Sequence, residues 1–384
     1  MADTVFHRTQ LAERMAQGVM ASAVGSAAAS GLFLAAPRRT GKSTFVREDL
    51  RPALQNRGAT VLYVDLWANK KADPGAVIVG AVRAELARHE GVVARLARSA
   101  GMEKVTVGGV AFSLDRVGLG KEISLSAALA ALSDETGQPI VLLIDEAQHA
   151  IATEGGYDAL FALKAARDEL NSSAHHGLRI VATGSNRDKL AMLRNSKDQA
   201  FFGAPLVAFP PLDADYIQWF CKGVGLAGPL DPDAVTKLFE RAGHRPEILG
   251  AAADSIRFDF SIGPADAAAA FAKAVDEQIE EADLQTLRVI QALTPLQSAV
   301  LRVLAREGEK YAPFEAGTME RYRAMLSALA PGEAMVPEVS NVQAALGALQ
   351  DKSLVWKEKR GVYSLEESMT AELMRRHGLL DVAA

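Results

Sequence analysis

The stretch Leu32 to Thr44, LFLAAPRRTGKST, constrains this chain more than any other. An apolar run, Leu32-Phe33-Leu34-Ala35-Ala36, turns through Pro37-Arg38-Arg39-Thr40 into Gly41-Lys42-Ser43-Thr44, which opens a helix. Buried strand, tight turn and helix N-terminus in that order make a phosphate-binding loop. Backbone N–H groups of the turn and first helical turn then point at phosphate oxygens, and the helix dipole adds favourable potential. The candidate binding set is Pro37, Arg38, Arg39, Thr40, Gly41, Lys42, Ser43 and Thr44. Lys42 is placed to reach the β- and γ-phosphates, and the Ser43 hydroxyl to hold Mg²⁺ with Thr44 behind it. One position departs from G-x-x-x-x-G-K-[ST]: Ala36 stands where the first glycine belongs. The bland alternative is a chance match on a Gly-Lys-Ser helix cap.

A second signal lies a hundred residues on. Pro139 to Ile144 is the most apolar run of the chain and ends at Asp145-Glu146. Beside a phosphate loop, an Asp at the end of a buried strand accepts hydrogen bonds from Mg²⁺-bound water. The Glu after it can orient and deprotonate the attacking water. Otherwise the pair is a helix cap at a strand end. Gln148-His149 follow in the same turn, either reading the nucleotide or simply capping. The next apolar run, Leu178 to Thr183, ends in Gly184-Ser185-Asn186, where Ser185 or Asn186, with Asn186 preferred, can contact the γ-phosphate or water; ordinary turn chemistry is the alternative. Arg194 is a candidate for stabilising transition-state charge on a neighbouring subunit's nucleotide, and a solvated helix-end cation is the other reading.

Apolar runs at 32–36, 60–67, 139–144, 178–183 and 206–209 alternate with helical patterns, including 43–55, 75–98, 124–135 and 156–171. That alternation predicts an α/β three-layer core with a parallel sheet. Ligands of such sheets bind at the carboxyl ends of the strands, where both Lys42 and Asp145 fall. The pair Gly108-Gly109 between short alternating runs predicts a hairpin insertion at about 103–118. From Leu212 the strand patterns stop. Residues 212–293 read as an all-helical domain, broken at Gly243-His244-Arg245-Pro246, and 294–384 as three helices followed by a hairpin, the winged-helix plan. The nucleotide core is accordingly residues 1–211.

Composition narrows the partners. A net charge of −5 argues against a chain that coats nucleic acid along its whole surface, though not against a local contact. The single cysteine, Cys221, leaves no disulfide framework or cysteine metal site and fits a reducing, cytoplasmic compartment. Charged residues interrupt the N-terminus before any apolar run, against a secretory leader. The uncharged stretch Val19 to Ala36 is mostly Ala, Ser and Gly and reads as helix then strand rather than a membrane span.

Together APRRTGKST, VLLIDEAQ, ATGSN and GHRPEIL resemble the AAA+ ATPases, and among them the archaeal-type ATPases related to the STAND signalling group. The resemblance implies ATP and Mg²⁺ as ligands, with Lys42 and Ser43 on phosphate and metal, Asp145 on metal, Glu146 as base and Ser185 or Asn186 as sensor. It implies that Arg8, in the lead-in Phe6-His7-Arg8, lies near the adenine, and that Arg245 and Pro246 lie against phosphate and adenine. Members of the group often carry an arginine soon after a Tyr/Phe-Gly pair; here Ala204 follows Phe202-Gly203, which leaves Arg194 as the substitute. Nothing resembles the guanine-reading N-K-x-D, which favours ATP. Two outputs are expected to compete: double-stranded DNA bound through the winged helix, or a protein partner, including further copies of the chain. From Thr294 to Leu365 nine Lys and Arg stand against eight Asp and Glu, a net of +1, and the expected recognition helix Asn341 to Gln350 has no charge.

Overall fold

The computed structural model describes residues 4–21, 30–36, 40–69, 71–89, 112–113, 123–172, 175–185, 187–195, 199–331, 336–359, 361–366 and 369–380. It divides into two compact units, Met1–Pro211 and Leu212–Ala384.

The first unit is organised around five parallel strands: β1 (Leu32–Ala35), β2 (Thr60–Asp65), β3 (Ile140–Asp145), β4 (Leu178–Gly184) and β5 (Leu206–Ala208). Their order across the sheet is β2-β3-β4-β1-β5. Strand β3 pairs with β2 from Thr60↔Ile140 to Asp65↔Asp145, and β1 pairs with β4 from Leu32↔Val181 to Ala35↔Gly184. Side chains alternate between two cores. Phe33, Leu142, Ile144, Ile180 and Ala182 join one, with α4 (Pro74–Leu86), α5 (Leu125–Thr136) and α6 (Glu154–Ser172) over them. Leu34, Val141, Leu143 and Val181 join the other, beneath α1 (Thr9–Met20) and the helix after the phosphate loop. Covering both faces is why β3 reads as an unbroken apolar run, and every residue of it is buried.

The helix after the loop is not uniform. It starts as α2 (Lys42–Phe45), widens to a π-turn over Val46–Leu50, and returns to α winding in α3 (Arg51–Asn56). The expected hairpin at 103–118 lies outside the described residues except Phe112–Ser113, which pair in parallel with Ile123–Ser124.

Helix α7 (Arg187–Met192) follows β4 in the first unit; in the second, the chain continues through α8 (Ala214–Gly223), α9 (Pro232–Arg241), α10 (Pro246–Arg257) and α11 (Ala267–Gln291). Then come α12 (Pro295–Glu307), α13 (Ala316–Leu329) and α14 (Val339–Asp351), an antiparallel hairpin of β6 (Val355–Lys359) and β7 (Val362–Leu365), and α15 (Met369–Arg376). Thr294 caps α12 with a capping box to Gln297, which fixes where this three-helix segment begins. One core joins it: Leu301, Leu304, Tyr322, Leu346, Leu349, Val355 and Tyr363. No helix among the described residues is long and apolar enough to cross a membrane.

Candidate functional site

Because β4 lies between β1 and β3, the carboxyl ends of three strands converge. The Ala36 N–H donates to the Gly184 carbonyl at 3.2 Å, so β1 stays tied to β4 up to the loop. Ala36 is buried, and a methyl is the largest group this chain places there. Residues 37–39, and with them Pro37, Arg38 and Arg39, lie outside the described residues. Thr40 is buried. Gly41 has φ 79°, the left-handed conformation that glycine adopts without a Cβ penalty. Its carbonyl accepts the first helical bond, from Phe45 N at 2.9 Å. The N–H groups of the first turn have no partner within the helix and suit an anion. Ser43 and Thr44 are half-buried in that turn.

Lys42 is 4% exposed. Its Nζ lies 3.0 Å from Glu146 Oε1. The other oxygen, Oε2, accepts from Gln148 Nε2 at 2.5 Å, Ser185 Oγ at 2.8 Å and Ser185 N at 3.3 Å. Burial opposes ionisation of Glu146. The Lys42 charge and the bonds from Ser185, Lys42 and Gln148 outweigh it and hold the carboxyl below its ordinary range. Glu146 sits at φ 52°, a conformation costing a non-glycine residue about 1–2 kcal/mol. Two bonds fix it there: its N–H to Asp145 Oδ1 at 3.1 Å, and its carbonyl from His149 N at 3.0 Å. The His149 ring rests on Trp67, centroids 4.4 Å apart.

Asp145, 1% exposed, is braced on both oxygens. Thr183 Oγ1 donates to Oδ1, and Tyr63 OH donates to Oδ2 at 3.2 Å. Burial, then the Asp145 and Asp65 charges, push the Tyr63 phenol far up, so it remains a donor. A hydroxyl at Ser43 and a carboxylate at Asp145 are hard oxygen ligands of the kind Mg²⁺ takes, with substrate phosphates and water filling its sphere. Among the described residues no group of three or more His, Cys, Asp and Glu forms a self-sufficient cage. One hydroxyl and one carboxylate are a donor set that fits Mg²⁺ delivered with a phosphate ligand.

Asn186 lies outside the described residues. Arg194 Nη1 donates to the neighbouring Asn195 Oδ1 at 3.2 Å, and its carbonyl accepts from Gly203 N at 3.3 Å. Arg8 grips the end of β5: its guanidinium donates to the carbonyls of Pro210 at 2.8 Å and Pro211 at 3.1 Å and lies 5.1 Å from the Phe209 ring centroid. The Arg8 N–H and the His7 ring meet the two oxygens of Asp49, in the π-turn, at 3.0 and 2.6 Å. Arg245 and Pro246 belong to the second unit, where Arg245 Nε donates to Ala242 O at 2.8 Å and Pro246 opens α10. Sequence reasoning missed Tyr63, Thr183 and Asp49. Thr183 carried a signal, as the one hydroxyl at the end of an apolar strand, and Asp49 another, as a carboxylate in a buried helical stripe.

No family model matches the chain, and no curated protein matches it. Solved structures do. A Walker-type ATPase of Pyrococcus abyssi is 17% identical, with a TM-score of 0.55 over 97% of this chain and 96% of that one. The ORC2 protein of Aeropyrum pernix, as ADPNP–ADP complexes, is 16% identical, with a TM-score of 0.54 over 97% and 96%. Its ADP form is 14% identical, with a TM-score of 0.52 over 98% and 96%. At such identities the likeness is one of fold: a parallel-sheet α/β core of the P-loop ATPase kind followed by a largely helical second half.

Proposed function

We propose that this chain is a Mg²⁺-dependent ATPase of the AAA+ type, akin to the archaeal-type group, in which nucleotide state sets how a C-terminal winged helix is presented. The observation that carries the reading is the half-buried carboxylate of Glu146, held at the end of β3 with Lys42 on one oxygen and Ser185 on the other. Lys42 leaves Glu146 for the β- and γ-phosphates, while the N–H groups after Gly41 receive the remaining phosphate charge. Glu146 takes the proton of a water that attacks the γ-phosphorus. The bond to the ADP oxygen breaks, and ADP and phosphate leave. Ser43 and Asp145 would hold the Mg²⁺, which neutralises charge on the phosphates. Ser185 or Asn186 senses the γ-phosphate, and Arg194 reaches a neighbouring subunit's nucleotide. Arg8, Arg245 and Pro246 line the base and phosphates from the lead-in and from the helical domain. Residues 1–211 form the nucleotide core, 212–293 the lid and 294–384 the output domain, with ATP hydrolysis a conformational switch between them.

Duplex DNA is one output partner of the 294–384 segment. A protein partner, including a second copy of the chain, is the other. The near-balanced charge of 294–365 and the uncharged stretch Asn341 to Gln350 favour the protein. Calorimetry with ATP tests the core. Lys42→Ala loses phosphate contact and with it nucleotide affinity, whereas Glu146→Gln keeps affinity and loses turnover by about 10²-fold or more. Wild-type affinity in the first variant, or wild-type phosphate release in the second, removes the residue from the scheme.

A further inference from the structure

The Gln148 side chain is buried, 3% exposed, in the 3₁₀ turn Ala147–Ala152 that follows the site. Its Nε2 donates to Glu146 Oε2 at 2.5 Å and approaches Ser185 Oγ at 3.4 Å, while its own carbonyl, Oε1, has no hydrogen-bond partner among the described residues. A buried carbonyl without a donor costs stability. A leucine of similar size would not incur that cost. Nor is the space accidental. A Cβ at Gly184 would stand 2.5 Å from Gln148 Oε1 and 3.0 Å from Leu190 Cδ1, so the glycine leaves the room that the amide occupies. The chain keeps a strained polar arrangement whose one evident product is a third donor on Glu146 Oε2.

The division of donors on that carboxylate is unequal. Oε2 carries Gln148 Nε2, Ser185 Oγ and Ser185 N, whereas Oε1 carries Lys42 Nζ. Three fixed donors hold one oxygen, and a mobile cation covers the other.

We propose that Gln148 is a positioning residue: by anchoring Glu146 Oε2 it aims Oε1 at the water, so that Oε1 becomes the proton acceptor only once Lys42 has moved to phosphate. The inference rests on the reading of Glu146 as general base. Nucleotide arrival and exposure of the base then become one event, because the same ammonium cannot cover Oε1 and bind phosphate. Ser185 alone cannot replace Gln148, since both Ser185 donors approach from the end of β4 and Gln148 approaches from the turn after β3. Losing that second direction frees the carboxylate to rotate about its own axis, and misalignment of about 1 Å costs about 10²-fold in rate.

The test is Gln148→Leu in the full chain, measured three ways beside wild type and Glu146→Gln. Steady-state phosphate release should fall about 10- to 100-fold in kcat. Affinity for a slowly hydrolysed ATP analogue should stay within about twofold, since Gln148 has no bond to Lys42 or to the turn after Gly41, and Ser185, which it approaches at 3.4 Å, keeps its own two bonds to Glu146 Oε2. The melting temperature without nucleotide should be equal or higher, because an unpartnered carbonyl has been removed. A purely structural Gln148 would instead give a lower melting temperature and a parallel loss of affinity, and that result overturns the proposal. Wild-type kcat in Gln148→Leu, with Glu146→Gln inactive, overturns it while leaving the general base intact. Absence of turnover in wild type itself, with nucleotide bound, overturns the proposed function and this inference together.

Discussion

The Lys42–Glu146 pair can be weighed without nucleotide. At 3.0 Å and an effective dielectric constant of about 20, the gross attraction is about 5–6 kcal/mol. Desolvation of both groups cancels much of this, and breaking a buried pair by removing one partner costs about 3–5 kcal/mol. Glu146 retains its three donors on Oε2 and its side chain is 13% exposed, so the cost falls to the lower end of that range or just below it: Lys42→Met should cost about 2–3 kcal/mol. Glu146→Gln strands a lysine side chain that is 5% exposed and should cost about as much. The double variant removes both charges, so its cost should fall short of the sum by about 2 kcal/mol, a coupling that a double-mutant cycle isolates. Urea unfolding followed by Trp67 fluorescence is the assay. Trp67 is the one tryptophan of residues 1–211, and Trp219→Phe and Trp356→Phe silence the other two. In thermal melts each single variant should lower the midpoint of that unit by about 4–12 °C, at about 2–4 °C per kcal/mol for its size. Additivity of the two single costs within about 0.5 kcal/mol would refute the coupling, and with it the idea that Lys42 is held by Glu146 until phosphate arrives.

Three further outcomes follow from named contacts. Gly184→Ala should destabilise the first unit by about 1–3 kcal/mol through overpacking against Gln148 and Leu190, and Gln148→Ala in the same chain should relieve part of that; denaturant titration of the single and double variants decides it. Arg8→Ala removes two hydrogen bonds to the Pro210 and Pro211 carbonyls and should cost about 1–3 kcal/mol, read as a shift in the urea midpoint at unchanged slope. If the 294–384 segment binds duplex DNA, reversing Lys357, Lys359 and Arg360 should weaken binding to all sequences alike and flatten the slope of log K against log salt by about 2.7, at about 0.9 per phosphate contact, as measured by anisotropy; wild type without salt-dependent binding at low ionic strength rules out the DNA output.

Much of the core was legible because its signals are local. A strand buried on both faces must be apolar throughout, so β3 and its terminal Asp145-Glu146 stood out, and alternating strand and helix patterns required a parallel sheet. The adjacency of Ser185 to Glu146 followed from strand order, which the structure gives as β3 beside β4. Less legible were contacts that need three dimensions. Tyr63 lies on β2 and Thr183 on β4, 120 residues apart in sequence, and both converge on Asp145 only because β3 runs between their strands. The partners of the Arg8 guanidinium, the Pro210 and Pro211 carbonyls, lie 202 and 203 positions away, a distance that no periodicity encodes. Gln148 stood in the motif, but whether it caps or orients depends on which oxygen of Glu146 it meets.

The wide turn at Val46–Leu50 has a consequence for chain length. Buried residues in this helix come in pairs, Phe45 and Val46, Asp49 and Leu50, Ala53 and Leu54, a repeat of four. A uniform α-helix advances 100° per residue, so a four-residue repeat would wander about 40° round the axis at each step and leave the core face within two steps. The slower winding of the π-turn takes up that drift and keeps all three pairs in phase with the sheet. It also holds the Asp49 carboxylate in line for His7 and Arg8. A related chain one residue shorter here would wind as an ordinary helix and turn position 49 out of register with its lead-in. Insertions and deletions between Phe45 and Ala53 should therefore be matched by changes at positions 7 and 8, forty residues upstream, rather than in the neighbouring loops.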